Sequence, residues 1–141
     1  MDGFIQIYTE KKRKNLIKTE KRKLESIYMK LDEAVAKSSE KLLNDAAFMA
    51  VTLDELRQII QRDGPVEQYQ NGENQKGLKK SAAVEAYDKM VNTYARIIKQ
   101  LVDMLPKVIR LQKNENGEET VEEIEDDTAA ELMAYVKGFK K

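Results

Sequence analysis

Between Val84 and Leu105 the apolar residues fall at a spacing that one kind of secondary structure satisfies. Val84, Tyr87, Val91, Tyr94, Ile98, Leu101 and Leu105 are separated by 3, 4, 3, 4, 3 and 4 residues. That alternation lines them along one side of an α-helix, whereas a strand would scatter them over both faces. Met90, Ala95, Ile97, Val102 and Met104 flank the seam. The apolar face is therefore wider than a two-stranded coiled coil needs. The seven seam residues are expected to form the core, on a helix buried on more than one side. The helix starts near Ser81, and Pro106 closes it.

A second seam precedes it. Leu42, Ala46, Met49, Leu53, Leu56 and Ile60 are spaced 4, 3, 4, 3 and 4. Ser38-Ser39 read as its N-cap. Thr52-Leu53-Asp54-Glu55 has the form of a capping box, but the seam passes through it in register, so one continuous helix is expected. Asp63-Gly64-Pro65 ends it. From Leu42 to Ile60 is about 27 Å, and from Val84 to Leu105 about 32 Å. Two matched helices joined by a connection that turns back predict an antiparallel hairpin.

The connection, Gly64 to Ser81, is rich in amides and glycine. It exceeds the usual helix–helix link of roughly 2–8 residues. Within it Val66–Gln70 and Glu73–Lys76 flank Asn71-Gly72, a two-residue hairpin turn signal. A small β-hairpin at the surface is the expectation.

Before the seams, a helix is expected from about Thr9 to Lys37, with Ile17, Leu24, Ile27, Leu31 and Val35 on one stripe. After Pro106 comes the alternating run Lys107–Gln112, the turn-like Asn114-Glu115-Asn116-Gly117, and the acidic Glu118–Asp127. Two readings stand there: two short strands or an acidic tether. Thr128-Ala129-Ala130-Glu131 then opens a short last helix. The fold class is all-α, divided into a basic helix (1–37), a helical hairpin (38–106), an acidic linker (107–127) and a terminal helix (128–141).

Formal net charge is zero over 141 residues, but it is segregated. Residues 1–30 hold nine Lys/Arg against four Asp/Glu, and residues 114–136 hold none against nine. The chain has no cysteine and no histidine. It thus lacks disulfides, thiolate metal ligands and the commonest general base. No phosphate-loop, dinucleotide-binding, nucleophile-elbow or zinc-protease motif occurs. A non-enzyme without metal or cofactor is expected. No apolar run is long enough for a membrane helix, and no apolar leader precedes a cleavage site. The expected location is the cytoplasm.

Lys11, Lys12, Arg13, Lys14, Lys18, Lys21, Arg22 and Lys23 form a basic block. On a helix, Lys11, Lys14, Lys18, Lys21 and Arg22 share one broad face. Such a row can track phosphates and release counterions, or it can be a solvated lysine-rich surface. Lys76, Lys79 and Lys80 make a second, smaller patch. Leu132, Met133, Val136 and Phe139 form the apolar side of the terminal helix. That side could dock on a partner or on its own domain.

Two passages carry a resemblance. The first is Asn44-Asp45-Ala46-Ala47-Phe48-Met49-Ala50-Val51-Thr52-Leu53. The second is Tyr69-Gln70-Asn71-Gly72-Glu73-Asn74-Gln75, followed by Gly77 and Lys79-Lys80-Ser81. Their order, with Tyr87 and Tyr94 on the following helix, resembles the small subunits of tailed-phage terminases from phages and prophages of Gram-positive bacteria. It spans roughly residues 42–106. The resemblance implies a largely helical protein that binds double-stranded viral DNA, forms homo-oligomers (often rings) and regulates a large subunit bearing the ATPase and nuclease. It also implies a site of action in the host bacterial cytoplasm. In that layout the N-terminal helix meets DNA, the central helices assemble, here through the Val84–Leu105 seam and its apolar flank, and the C-terminal segment meets the large subunit. No compact helix-turn-helix can be placed in residues 1–40, so base-reading residues are not assigned. A helical scaffold that never meets nucleic acid and a DNA-binding transcriptional regulator are the alternatives.

Overall fold

The computed structural model describes residues 6–105, 108–124 and 127–138. The described residues are mostly helical and form four helices and two separate two-stranded antiparallel ribbons.

Helix α1 runs Glu10–Tyr28. Thr9 caps it, its hydroxyl accepting from the Lys12 amide at 3.1 Å. The helix stops well short of the expected Lys37. Met29 N–H closes on Glu25 O at 2.8 Å and Leu31 N–H on Tyr28 O at 3.1 Å, and the chain turns. Helix α2, Glu33–Asp63, begins there. The break is thus at residues 29–32, ahead of Ser38. Those serines lie inside α2, where Ser38 donates to Ala34 O at 2.7 Å and Ser39 to Ala36 O at 2.8 Å. The early turn lets the stripe of α1 fold back onto α2. Leu24, Ile27 and Tyr28 then meet Leu43, Ala46 and Ala47 in one core cluster. Leu31 packs at the edge of this core from the turn.

Helix α2 continues through Thr52 without interruption, as the unbroken seam requires. Its buried set is broader than the seam: Leu43, Ala46, Ala47, Ala50, Val51, Leu53 and Ile59. The reason is position. It packs against α1 on one side and α3 on the other. Gly64 ends it at φ 85°, a left-handed value that glycine adopts without strain.

Strands β1 (Val66–Gln70) and β2 (Lys76–Lys80) pair antiparallel, from Val66↔Lys80 to Gln70↔Lys76. The closing loop is residues 71–75, with Asn71 N–H bonded to Gln75 O at 2.8 Å. It is longer than the two-residue Asn71-Gly72 turn the sequence suggests. The wider register sets Tyr69 opposite Gly77, where the ring covers the glycine. A Cβ at residue 77 would lie 2.9 Å from Tyr69 Cε1. It also brings Lys79 Nζ to 3.4 Å from Glu67 Oε1. A two-residue turn would face Tyr69 with Asn74 and lose both pairs. Substituting Gly77→Ala is therefore expected to push the ring aside. The upfield ring-current shift on the residue-77 Hα should disappear. Ribbon amides should exchange faster, while the helical melting curve stays within about 1 kcal/mol of wild type.

The ribbon returns the chain beside its departure point, with Ser81 N–H on Pro65 O at 3.0 Å. Ser81 then caps helix α3 (Ala82–Asp103), accepting from Val84 N–H at 3.2 Å. The end of α2 meets the start of α3, where Arg57 Nη2 donates to the Tyr87 hydroxyl at 3.1 Å. Leu43 of early α2 shares the core with Ile97, Leu101 and Leu105 of late α3. The two helices thus run in opposite directions. Tyr28 of α1 crosses this core and donates to Leu101 O at 2.6 Å, and burial drives its phenol pKa well up.

Beyond α3, strands β3 (Val108–Lys113) and β4 (Glu119–Ile124) form the second ribbon. It is stabilised at its turn by Asn114 Oδ1, which accepts from the amides of Asn116 and Glu118 at 3.1 and 2.8 Å. Of the two readings for the acidic stretch, the strands are the one observed. Pro106, the expected helix stop, lies outside the described residues. Helix α4, Asp127–Gly138, packs against α1.

Candidate nucleic-acid interface

The phase of α1 decides which of its cations are available. Arg13 shares the inward side with Ile17 and Leu24, four and eleven residues on. It is fully engaged. Its Nε donates to Glu55 Oε2 at 2.8 Å and its Nη2 to Glu55 Oε1 at 2.7 Å. Glu55 is 7% exposed and also receives the amides of Ile7 and Tyr8 at 3.2 and 3.4 Å. Arg13 therefore binds α2, not a phosphate. Its guanidinium, more than the two amides, holds the Glu55 carboxyl below the usual range against the opposing cost of burial.

The other members of the block remain outside. Lys14 pairs with Glu10 at 2.8 Å, Lys23 with Glu20 at 3.1 Å and Lys21 with Glu25 at 3.4 Å. Lys12 lies 5.3 Å from the centre of the Tyr8 ring. Such surface pairs are worth little and yield readily to a phosphate. Lys11, Lys18 and Arg22 are exposed and make no ion pair among the described residues. At 100° per residue they fall within about 40° of one another, opposite the side that carries Arg13, Ile17 and Leu24. They form a straight cationic stripe about 16 Å long.

The second patch sits on the β1–β2 ribbon. Lys79 pairs with Glu67, Lys80 with Asp88 at 3.2 Å, and Lys76 makes no ion pair among the described residues. The two patches share one end of the protein. Arg13 is tied to Glu55, near the end of α2, and the ribbon follows that same end. The acidic ribbon leaves α3 at the other end.

The seam of α3 divides. Leu101 and Leu105 are core. Tyr87, Val91, Tyr94 and Ile98 are only half-buried, and with Ala50 and Leu53 of α2 they line a groove of about 380 Å³. Val84 is half-buried above it. Asp54, at the groove edge, accepts from the Tyr8 hydroxyl at 2.6 Å. The Tyr94 hydroxyl is buried without a hydrogen-bond partner among the described residues. Burial, with a further push from Glu20, raises its pKa to about 12.

The terminal helix is not a free arm. Leu132 is 0% exposed and belongs to the core, so this residue is turned inward, away from any partner. Tyr135 donates to Glu20 Oε2 at 3.0 Å, and Lys30 reaches Glu131 at 2.6 Å. Val136 lines the groove, and Met133 is 45% exposed. Phe139 lies outside the described residues. Among the described residues no group of three or more His, Cys, Asp or Glu could hold a metal, and no helix is long and apolar enough to cross a membrane.

Sequence reading missed the Arg13–Glu55 clamp. Its signal was present: an arginine in phase with an apolar stripe, and a glutamate between Leu53 and Ile59. No family model matches the chain, and comparisons with curated proteins and with solved structures return no match.

Proposed function

We propose that this protein is a non-catalytic DNA-packaging subunit of the terminase small-subunit kind. It would bind double-stranded viral DNA and act with a large ATPase–nuclease subunit in the host bacterial cytoplasm. The observation that carries this reading is the Lys11–Lys18–Arg22 stripe. It is cationic, exposed, straight and free of carboxylate partners among the described residues, which suits a phosphate backbone. The open half of the α3 seam suits homo-oligomer formation, with a ring as the packaging geometry. Among the described residues of the α4 apolar side, the exposed Met133 suits a large-subunit contact. The segregation of basic and acidic residues along the chain supports the same division of labour.

A filter-binding titration against duplex DNA tests the carrying observation. Affinity should fall steeply with salt. Replacing Lys11, Lys18 and Arg22 together by alanine should shrink the slope of log K against log salt by about 3. An unchanged slope in that variant, or salt-insensitive binding by the wild type, would remove the stripe from the interface. Native mass tests assembly: a ring-sized species supports packaging, and a dimer preferring palindromic half-sites points to a transcriptional regulator.

A further inference from the structure

The β1–β2 ribbon has no role in that scheme, yet it is an element exposed along almost its whole length. Nine of its ten residues are exposed, and Gly77 is half-buried beneath Tyr69. Packing does not explain its sequence, so its two faces can be compared directly. Side chains alternate along each strand, and cross-strand partners share a face. With the observed register, one face carries Glu67, Tyr69, Gly77 and Lys79. That face is internally satisfied by the Glu67–Lys79 pair and by Tyr69 over Gly77. The opposite face carries Val66, Gln68, Gln70, Lys76, Leu78 and Lys80. It has no carboxylate. Lys80 is held at the root by Asp88, which leaves Gln68, Gln70, Lys76 and the 66%-exposed Leu78 presented to solvent.

Those residue types match what base edges offer. A glutamine amide can bond adenine N6 and N7 together, a lysine reaches guanine O6 and N7, and an aliphatic group meets the thymine methyl. Two strands lie about 4.8 Å apart, so the ribbon fits a major groove about 12 Å wide. Five residues per strand reach about 17 Å, enough to span the groove's depth of about 8.5 Å. The ribbon also rises at the same end of the protein as the start of the cationic stripe. We infer that the Gln68–Gln70–Lys76–Leu78 face of the β1–β2 ribbon is the base-reading surface for duplex DNA, entering the major groove while α1 holds phosphates. This inference rests on the DNA-binding reading and adds to it the source of sequence preference.

Selection from a pool of random duplexes tests it. Three full-length proteins are compared: wild type, Gln68→Ala/Gln70→Ala/Lys76→Ala, and Lys11→Ala/Lys18→Ala/Arg22→Ala. Both sets of substituted positions are exposed, so helical circular dichroism should be unchanged. Wild type should enrich a motif and prefer it over a scrambled duplex by about tenfold or more. The ribbon variant should lose that preference and bind both duplexes as wild type binds the scrambled one. The α1 variant should bind both more weakly and keep the preference. Enrichment of the same motif by the ribbon variant overturns the inference and leaves the DNA reading standing. So does a wild type that binds with a steep salt slope but enriches nothing. A ribbon variant whose native mass changes while its motif persists makes the ribbon a protein contact instead. A wild type that binds no duplex removes both readings.

Discussion

Arg13→Ala should lower the unfolding free energy by about 3 kcal/mol, the low end for breaking a buried ion pair. The pair is asymmetric. The Glu55 side chain is 9% exposed and that of Arg13 25%, so removing the arginine strands the less accessible charge. Two amides remain on Glu55, which keeps the loss from growing larger. Glu55→Ala should also destabilise, by a different route, leaving the Ile7 and Tyr8 amides without their acceptor. The N-terminal stretch is fastened to α2 here and at Tyr8, which bonds Asp54 and receives a 2.6 Å bond from Gln58 Nε2. Losing the clamp should therefore free residues 6–9 before it unfolds the bundle. Urea denaturation gives the magnitude, and amide exchange at Tyr8 shows the local release. An Arg13→Ala protein within about 0.5 kcal/mol of wild type would mean the pair is solvated and the clamp nominal.

The same pair fixes a pH dependence. The folded-state pKa of Glu55 is depressed, first by Arg13 and then by the two amides. A depressed carboxyl contributes stability that is fully present above its unfolded pKa, about 4.3. The contribution is lost as pH falls through the lower folded value. Wild type should lose stability on acidification below about pH 4.5, and Arg13→Ala should show a shallower loss over the same range.

How much of this was legible in the sequence divides by the kind of physics involved. Periodicity located α2, α3 and α4, because apolar spacing reports burial directly. Gly64 and Ser81 marked their boundaries, because each satisfies a local backbone requirement. The α1–α2 break was misplaced because no glycine or proline stands at residues 29–32; the turn exists to bring two stripes together, a tertiary cause. The β1–β2 register was misjudged for a similar reason. Asn71-Gly72 is a sound turn signal, but pairing Tyr69 with Gly77 outweighs it. For the site, helical phase in the sequence already set Lys11, Lys14, Lys18, Lys21 and Arg22 on one face, but it could not show which cations have carboxylate partners. The contact with Glu55, 42 residues away, separates Arg13, which binds the fold, from Lys11, Lys18 and Arg22, which face outward.

Leu132→Ala should detach α4 while leaving the three-helix core folded. Leu132 is completely buried among the residues that join α1, α2 and α3. Truncating a buried leucine costs about 2–5 kcal/mol. Beside Leu132, α4 is held by Tyr135, which packs at the edge of the core and donates to Glu20, by Val136 in the groove wall, and by the Lys30–Glu131 pair, whose side chains are 60% and 40% exposed. A helix of twelve residues is marginal on its own, because nucleation is costly and few hydrogen bonds offset it. Once Leu132 no longer anchors it, α4 should sample the unfolded state locally. Its amides should exchange far faster than those of α2 and α3. Leu101→Ala is the contrast. That residue is equally buried but lies between the long helices, so its loss should lower protection everywhere. Detachment also reaches the groove, since Val136 leaves its wall. Tyr94, held near pKa 12 mainly by burial, should then titrate closer to the ordinary phenol value of about 10, visible as phenolate absorbance appearing at lower pH. Equal loss of protection in α4 and in the core of Leu132→Ala would show instead that α4 unfolds only with the whole protein. The groove between α2 and α3 would then keep its Val136 wall for as long as the protein stays folded.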